Sequence, residues 1–320
     1  MTDFTEQSSA SLHMPDGLGP LTAALPDPAG PLTPTGHLRR RQLVSRLAEA
    51  GQTAAALLAV AVLAIVVYSV AVRGASVLSF DFLTKSPPAF EEGVKGGGIA
   101  PEIVGTAVIM LLATALAMPL GILTALYMTE FAGRRSAQAI RLALDLLNGL
   151  PTIVVGLFVF GLLVVGHHQY GFAGSFALAI VMLPLIARAS QEVLLLVPQS
   201  LHEAADALGV SRWRAVRGVV LPTALGGVLT ATVLAVARAA GETAPLIFLS
   251  SIYANSVSLN PFAHEGMANI PVYIFTASEA ADPNGFARAW GAGFVLLAFI
   301  LVVSLGGRML LTRSRAKLTG

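Results

Sequence analysis

Arg238 and Glu242 stand four residues apart in ARAAGETAPL, residues 237 to 246, inside one of the most apolar stretches of the chain. On a continuous helix that spacing puts a guanidinium and a carboxylate one turn apart on one face. An arginine at the centre of a membrane span costs about 2.5–3.5 kcal/mol on insertion scales, so it faces a partner, a bundle interior or water. Pro245 has no N–H and leaves the carbonyl of Gly241 without its helical donor, so a helix break is expected at Gly241 and Pro245. Irregular backbone at such depth is tolerated where it lines a cavity. Two uses fit: charges that line a polar path through the membrane, or an ion pair that fixes helix packing.

Both uses require the charges to lie within a span. If the helix ended near Ala237, only fifteen apolar residues would follow Pro222, covering about 22 Å against a hydrocarbon thickness of about 30 Å. The apolar run LIFLSSIY resumes directly after Pro245. The charges are therefore expected in the outer half of a span.

Hydrophobic residues make up 55% of the 320-residue chain and charged residues 12%, about half the charge of a soluble domain. A membrane protein follows. There is no cysteine, which excludes disulfides and thiolate metal sites, and a net charge of +2 gives no sign of nucleic-acid binding. Six apolar segments are long enough to read as spanning helices: Thr53 to Val72, Ile103 to Met128, Leu142 to Val165, Phe172 to Ala187 with a continuation to Val197, Thr223 to Ser250, and Ala287 to Leu311. Their length and lack of alternation favour helices over a barrel. The expected fold is an all-α membrane protein of six transmembrane helices. Residues 1 to 38 have six prolines and neither Lys nor Arg, so a disordered tail is expected, extending to residue 48 ahead of a membrane domain over 49–315.

Basic residues mark the sides of the membrane. If the first span leaves the cytoplasm, the inner segments carry Arg39, Arg40, Arg41, Arg46, Arg134, Arg135, Arg141, Arg188, Arg212, Arg214, Arg217, Arg308, Arg313, Arg315 and Lys317. The outer segments keep only Arg73, Lys85, Lys95 and Arg288. The positive-inside rule then puts both termini in the cytoplasm.

The longest inner connection, residues 198 to 222, reads as two short helices. Ser200 and Glu203 fit a capping box, Gly209 a left-handed helix end, Ser211 a second cap, and Pro222 a stop. Small residues at Ala204, Ala205 and Gly209 would let another surface approach closely. The spacing Glu203-Ala204-Ala205, then Gly209, Val219, Leu221 and Pro222, resembles the EAA signature of ABC-transporter permeases, with Val219 in place of the usual Ile. That resemblance implies the type I ABC importer permease fold. It also implies a coupling-helix hairpin that docks on a cytoplasmic ATPase through Glu203, Ala204, Ala205, Gly209, Leu221 and Pro222.

RAAGETAPL, with GGIAPEIVGT at 97 to 106, MPLGILTALYMTEF at 118 to 131, NGLPTIVVGLF at 148 to 158 and MLPLIARASQEVLLLVP at 182 to 198, resembles the PstA subunits of bacterial phosphate ABC importers. The likeness covers about residues 97 to 315. It implies a permease in the bacterial inner membrane. The implied partners are a second permease of PstC type, an ATPase dimer of PstB type that carries ATP and Mg, an extracytoplasmic phosphate-binding protein of PstS type, membrane lipid and inorganic phosphate. Arg238, Glu242 and Thr243 become the candidate pathway residues. Arg238 would bind the oxyanion through its fork of donors, and Glu242 would accept a hydrogen bond from the P–OH of hydrogen phosphate. A permease for another solute would share the hairpin; a secondary carrier or channel would use the intramembrane charges without needing it.

No phosphate-cradling GxxxxGK[ST], HExxH or GxSxG occurs in the chain, so it is expected to be neither the ATPase nor a hydrolase, and to bind no metal or cofactor itself. His167 and His168 read as surface residues of an outer loop. Asp145 and Asn148 are expected at the inner start of the third span, Arg188 and Glu192 as an i,i+4 pair, Pro119 as a kink, and glycines 96 to 98 as a flexible turn.

Overall fold

The computed structural model describes residues 36–88, 96–250, 256–264, 266–279 and 282–318, and among them every regular element is a helix. The chain divides at Leu63. The described part ahead of that point belongs to α1 (Gly36–Ala75), whose apolar stretch runs well beyond the length of a membrane crossing and whose side chains from Arg40 to Val66 are exposed. The helix takes in residues 36–48 of the expected tail; residues 1–35 lie outside the described residues.

From Ala64 onward the bundle is built around α3 (Ala100–Leu126) and α6 (Gly171–Leu195). Small residues bring the two together. Ala113, Ala117 and Ala177 are fully buried, and a Cβ on Gly121 would lie 2.8 Å from the Ile186 side chain. Such close backbone approach is what packing in lipid rewards, because apolar side chains gain nothing by leaving an equally apolar solvent. Met182, Ile186 and Leu246 complete this core. Both helices run through an internal proline, Pro119 and Pro184.

α2 (Phe80–Thr84) is capped by the Ser79 side chain, which accepts from the Phe82 N–H. The strip Gly96–Ile99 then closes on α2, with Gly96 and Gly97 at φ 94° and 85° forming the expected turn. α11 (Ile270–Glu279) and α12 (Pro283–Leu318) follow, started by Asn269 and Asp282, whose side chains accept from backbone N–H groups of their first turns. Arg288 is buried at the start of α12, near Asp282 at 3.8 Å and the Gly96 carbonyl at 3.4 Å.

The third apolar segment is not one straight span. α4 (Arg134–Gly149) and α5 (Thr152–Val159), the latter extended by a π-helical turn over Phe160–Val164, meet at a 95° bend. Leu150 precedes Pro151 and is held in extended backbone, which ends α4. Asp145 and Asn148 therefore sit on a strongly amphipathic helix ahead of the membrane-directed part. Among the described residues five helices are long and apolar enough to cross a membrane, or six when the bent pair is taken as one span.

The hairpin consists of α7 (Gln199–Ala207) and α8 (Arg212–Ala215). Pro198 occupies the N-cap of α7, which places Ser200 inside the first turn and removes the expected capping box. Ser211 sits at the N-cap of α8 but makes no side-chain cap bond. α8 passes through a π turn, Val216–Val220, straight into α9 (Leu221–Ala239), so Pro222 does not stop the helix. The wider π turn just ahead of it relieves the clash its ring would make in a regular helix, and its missing N–H falls in the first turn of α9. α10 (Ala244–Leu249) resumes after a break.

Candidate substrate pathway and coupling hairpin

α9 ends one residue after Arg238. The N–H groups of Ala240, Gly241 and Glu242 fold back on the carbonyls of Val236, Arg238 and Ala239, and α10 begins when Leu246 and Ile247 donate to the Thr243 carbonyl. Thr243 is thus the N-cap residue, and Pro245 stands in the first turn of α10, where its lack of an N–H costs nothing. Of the break expected at Gly241 and Pro245, the structure has Gly241 in the non-helical stretch 240–243, while Pro245 lies within α10, whose first turn accommodates it.

The consequence of the break differs from the expectation. Because the chain leaves helical geometry between the two residues, Glu242 is no longer one turn above Arg238. Among the described residues no ion pair joins them. Glu242 is half-buried and accepts a hydrogen bond from the Thr152 hydroxyl, 3.2 Å away at the first turn of α5. Arg238 keeps an exposed side chain with no ion pair among the described residues. The two charges of the opening motif are separated in role, one tied to a neighbouring helix and one open.

α5 and α10 run parallel from this point. Thr152 meets Glu242, Gly156 meets Pro245, and Phe160 meets Phe248 at 6.4 Å between rings. A Cβ on Gly156 would lie 2.6 Å from the Pro245 Cα, backbone that cannot move aside. The Gly156→Val protein should lose about 1–3 kcal/mol to overpacking, read as a lower Tm of the detergent-solubilised chain, and the Thr152–Glu242 bond should be displaced with it. An unchanged Tm would show that α5 and α10 do not pack this closely.

A wide groove lies elsewhere. About 1070 Å3 in volume, it runs along α3 beside α9 and α12, lined by Met110, Leu111, Met118, Leu123, Val236 and Phe299, with Arg217 and Trp213 among its other lining residues. Its almost wholly apolar wall cannot replace the hydration of an oxyanion.

In the hairpin, Gly209 has φ 65°, as expected of a left-handed helix end. Val210 donates to the Ala205 carbonyl and Gly209 to that of Asp206, the two bonds of a Schellman cap. Glu203, Ala204 and Gly209 are exposed, Ala205 is buried, and Leu221 and Pro222 belong to α9. The outer surface of the turn is bare.

Arg188 pairs with Asp145 of α4 rather than with Glu192, so the expected i,i+4 pair is replaced by a contact between helices. Its local alternative lost because α4 lies alongside the end of α6. His168 stacks on His264 at 4.0 Å between ring centroids, and no group of three metal-ligating side chains occurs among the described residues. Sequence reading missed two residues here: Thr152, visible only as the position after Pro151, and Glu130, a carboxylate at the end of a long apolar run.

The fifth span, expected over Thr223 to Ser250, instead runs over Arg212–Ala239, because α8 continues through the π turn past Pro222 and supplies the length from the other side; Arg238 stands at its end, and α10 is a separate short helix. A bundle of spanning helices, one bent pair and a helical hairpin feeding directly into a span define a permease of the ABC-importer class. Residues 117–316 match the family described as binding-protein-dependent transport system inner membrane component. The chain is 38% identical over 216 residues to the phosphate transport system permease protein PstA 1 of Mycobacterium tuberculosis (strain CDC 1551 / Oshkosh), covering 67% of this chain and 70% of that one. It is 36% identical over 289 residues to the phosphate transport system permease protein PstA of Xylella fastidiosa (strain Temecula1 / ATCC 700964), covering 88% and 98%. A crystal structure of a bacterial ABC transporter that imports the acidic polysaccharide alginate shares the fold at TM-score 0.60 and 15% identity, over 85% of this chain and 99% of that one. The MetNI methionine transporter in an inward-facing form does so at TM-score 0.52 and 18% identity, over 68% and 94%. The chain belongs to the binding-protein-dependent inner-membrane permease family, among its PstA-type members.

Proposed function

We propose that this chain is the PstA-type permease subunit of an ATP-driven phosphate importer, forming one wall of the translocation path. The observation that carries the reading is Arg238, an exposed guanidinium with no ion pair among the described residues, at the end of the apolar span Arg212–Ala239 where the helix breaks, in a chain whose relatives are named phosphate permeases. An exposed, pre-formed fork of donors suits charge-assisted bonding to a passing oxyanion. Glu242 uses one carboxylate oxygen on Thr152 and offers the other to the P–OH of hydrogen phosphate, a proton that sulfate lacks at neutral pH. Thr243 caps α10 beside it.

Transport is driven from the other end of the same helix. The Schellman-capped turn at Gly209, with exposed Glu203 and Ala204, docks on an ATPase dimer of PstB type, which carries the ATP and Mg. A second permease of PstC type supplies the facing wall, and an extracytoplasmic binding protein of PstS type delivers phosphate. The distribution of basic residues orients both termini to the cytoplasm of a bacterial inner membrane.

Proteoliposomes holding all four components and internal ATP should accumulate labelled phosphate. Arsenate, which also carries an acidic O–H, should compete, and sulfate should not. Uptake that persists with the ATPase omitted would instead identify a carrier or channel.

A further inference from the structure

Glu130 takes no part in the path at Arg238, yet its surroundings are built with some care. It lies in a π-helical turn, Tyr127–Phe131, at the end of α3, and its side chain is only 5% exposed. A carboxylate withdrawn from water in this way needs compensation. Both compensating groups come from the hairpin. His202 of α7 places Nε2 3.3 Å from one carboxylate oxygen, and Arg212 of α8 places Nη2 3.6 Å from the other. The other ring nitrogen of His202 is buried and has no hydrogen-bond partner among the described residues, so the bond to Glu130 sets the orientation of that imidazole.

The next residues repeat the contact. Phe131 packs on Trp213 at 6.3 Å between ring centroids. Around the ion cluster lies a small polar cavity, about 180 Å3, to which Thr129, Gln199 and Asp206 also contribute. Beneath it, Leu126 of α3 packs with Val216 and Val220 at the π turn that joins α8 to α9. π turns recur at functional sites, and here one stands on each side of the contact.

We propose that Glu130 is a positioning residue for transport: its buried carboxylate locks the hairpin to the end of α3, so that force applied at the hairpin moves the span instead of bending the hairpin. The inference rests on the hairpin being the element that docks the ATPase. α3 is the helix most extensively packed on α6, so a displacement of its end is carried into the centre of the bundle. Without the lock, the polar tie from α7 to the end of α3 is lost and the Phe131–Trp213 contact is left to hold α8 alone, so docking motion is dissipated in the hairpin.

The test uses the complete reconstituted transporter and two readings, phosphate imported per ATP hydrolysed and hydrogen exchange of residues 199–210. In Glu130→Gln an amide keeps one acceptor for His202 but turns a donor toward Arg212, or the reverse. The expected result is a fall in phosphate imported per ATP of about tenfold, the usual range for a lost coupling between sites, with faster exchange in the hairpin. Adding His202→Ala to Glu130→Gln should cost little more, because one contact is being removed twice. Uptake and hydrolysis falling in parallel, or an unchanged ratio with unchanged exchange, overturns the proposal. A wild-type complex that fails to import phosphate with ATP overturns the functional reading instead, and the exchange measurement still decides whether Glu130 holds the hairpin.

Discussion

The Arg238→Gln protein should assemble at wild-type levels and import phosphate at least about thirtyfold more slowly. The first half follows from the free state of the side chain: Arg238 is exposed, has no ion-pair partner among the described residues and leaves none orphaned when removed. A change of that kind usually alters stability by less than about 0.5 kcal/mol. The second half follows from what the guanidinium meets in transit. Removing one member of a desolvated, hydrogen-bonded charge pair costs about 2–5 kcal/mol, from some thirtyfold to several thousandfold in rate if the loss falls on the transition state for passage. Arg238→Lys should fall between, since it keeps the charge and loses the two-pronged geometry. The measurement is labelled-phosphate uptake normalised to the amount of assembled complex. Wild-type uptake by the glutamine variant would remove Arg238 from the path and leave the break at Gly241 as a purely structural feature.

At the opposite end of α9, Gly209→Phe should disconnect ATP hydrolysis from transport, reducing uptake more than about tenfold. Two costs are mixed in that substitution and can be separated. The left-handed backbone at φ 65° costs an ordinary side chain about 1–2 kcal/mol, paid within the chain itself. The steric cost is not internal: a Cβ at Gly209 meets nothing within 4 Å, so a larger group has room in the isolated chain and collides only with a docked partner. Gly209→Asn tolerates the left-handed conformation and should therefore keep the hairpin folded. If docking is the reason for glycine, Asn still binds the ATPase more weakly than the wild type, measured by co-purification of the ATPase with the permease pair. Full recovery with Asn would assign glycine to backbone geometry alone and withdraw the contact.

The contrast between these two positions also explains what was legible from local sequence. Gly209 is specified by its own turn. The Schellman bonds join residues three and five apart, so small residues and a glycine at the right spacing were enough to find it. The same holds for the apolar runs of α1, α3, α6 and α12, since a helix that satisfies its own backbone in lipid needs only length and hydropathy. Pro222 misled because its effect depends on a π turn, a departure from regular helix that residue spacing does not reveal. Leu142 to Val165 misled for a related reason: hydropathy counts apolar residues but does not register direction, and Pro151 turns the chain by 95° in the middle of the run.

The sequence by itself determined that this is a helical membrane protein, which segments are apolar enough to span, that the helix breaks at Gly241, and that a left-handed turn sits at Gly209. Those are consequences of interactions between near neighbours. Only the tertiary structure decided which charges meet. Glu242 turns to Thr152, ninety residues away in the chain, because unwinding after Ala239 removes it from the face of Arg238. Arg188 chooses Asp145 over Glu192, and Glu130 gathers His202 and Arg212. A buried or half-buried charge takes whichever partner the packing of helices brings within reach, and that packing is set by small residues such as Gly121 and Gly156, whose importance lies in what approaches them.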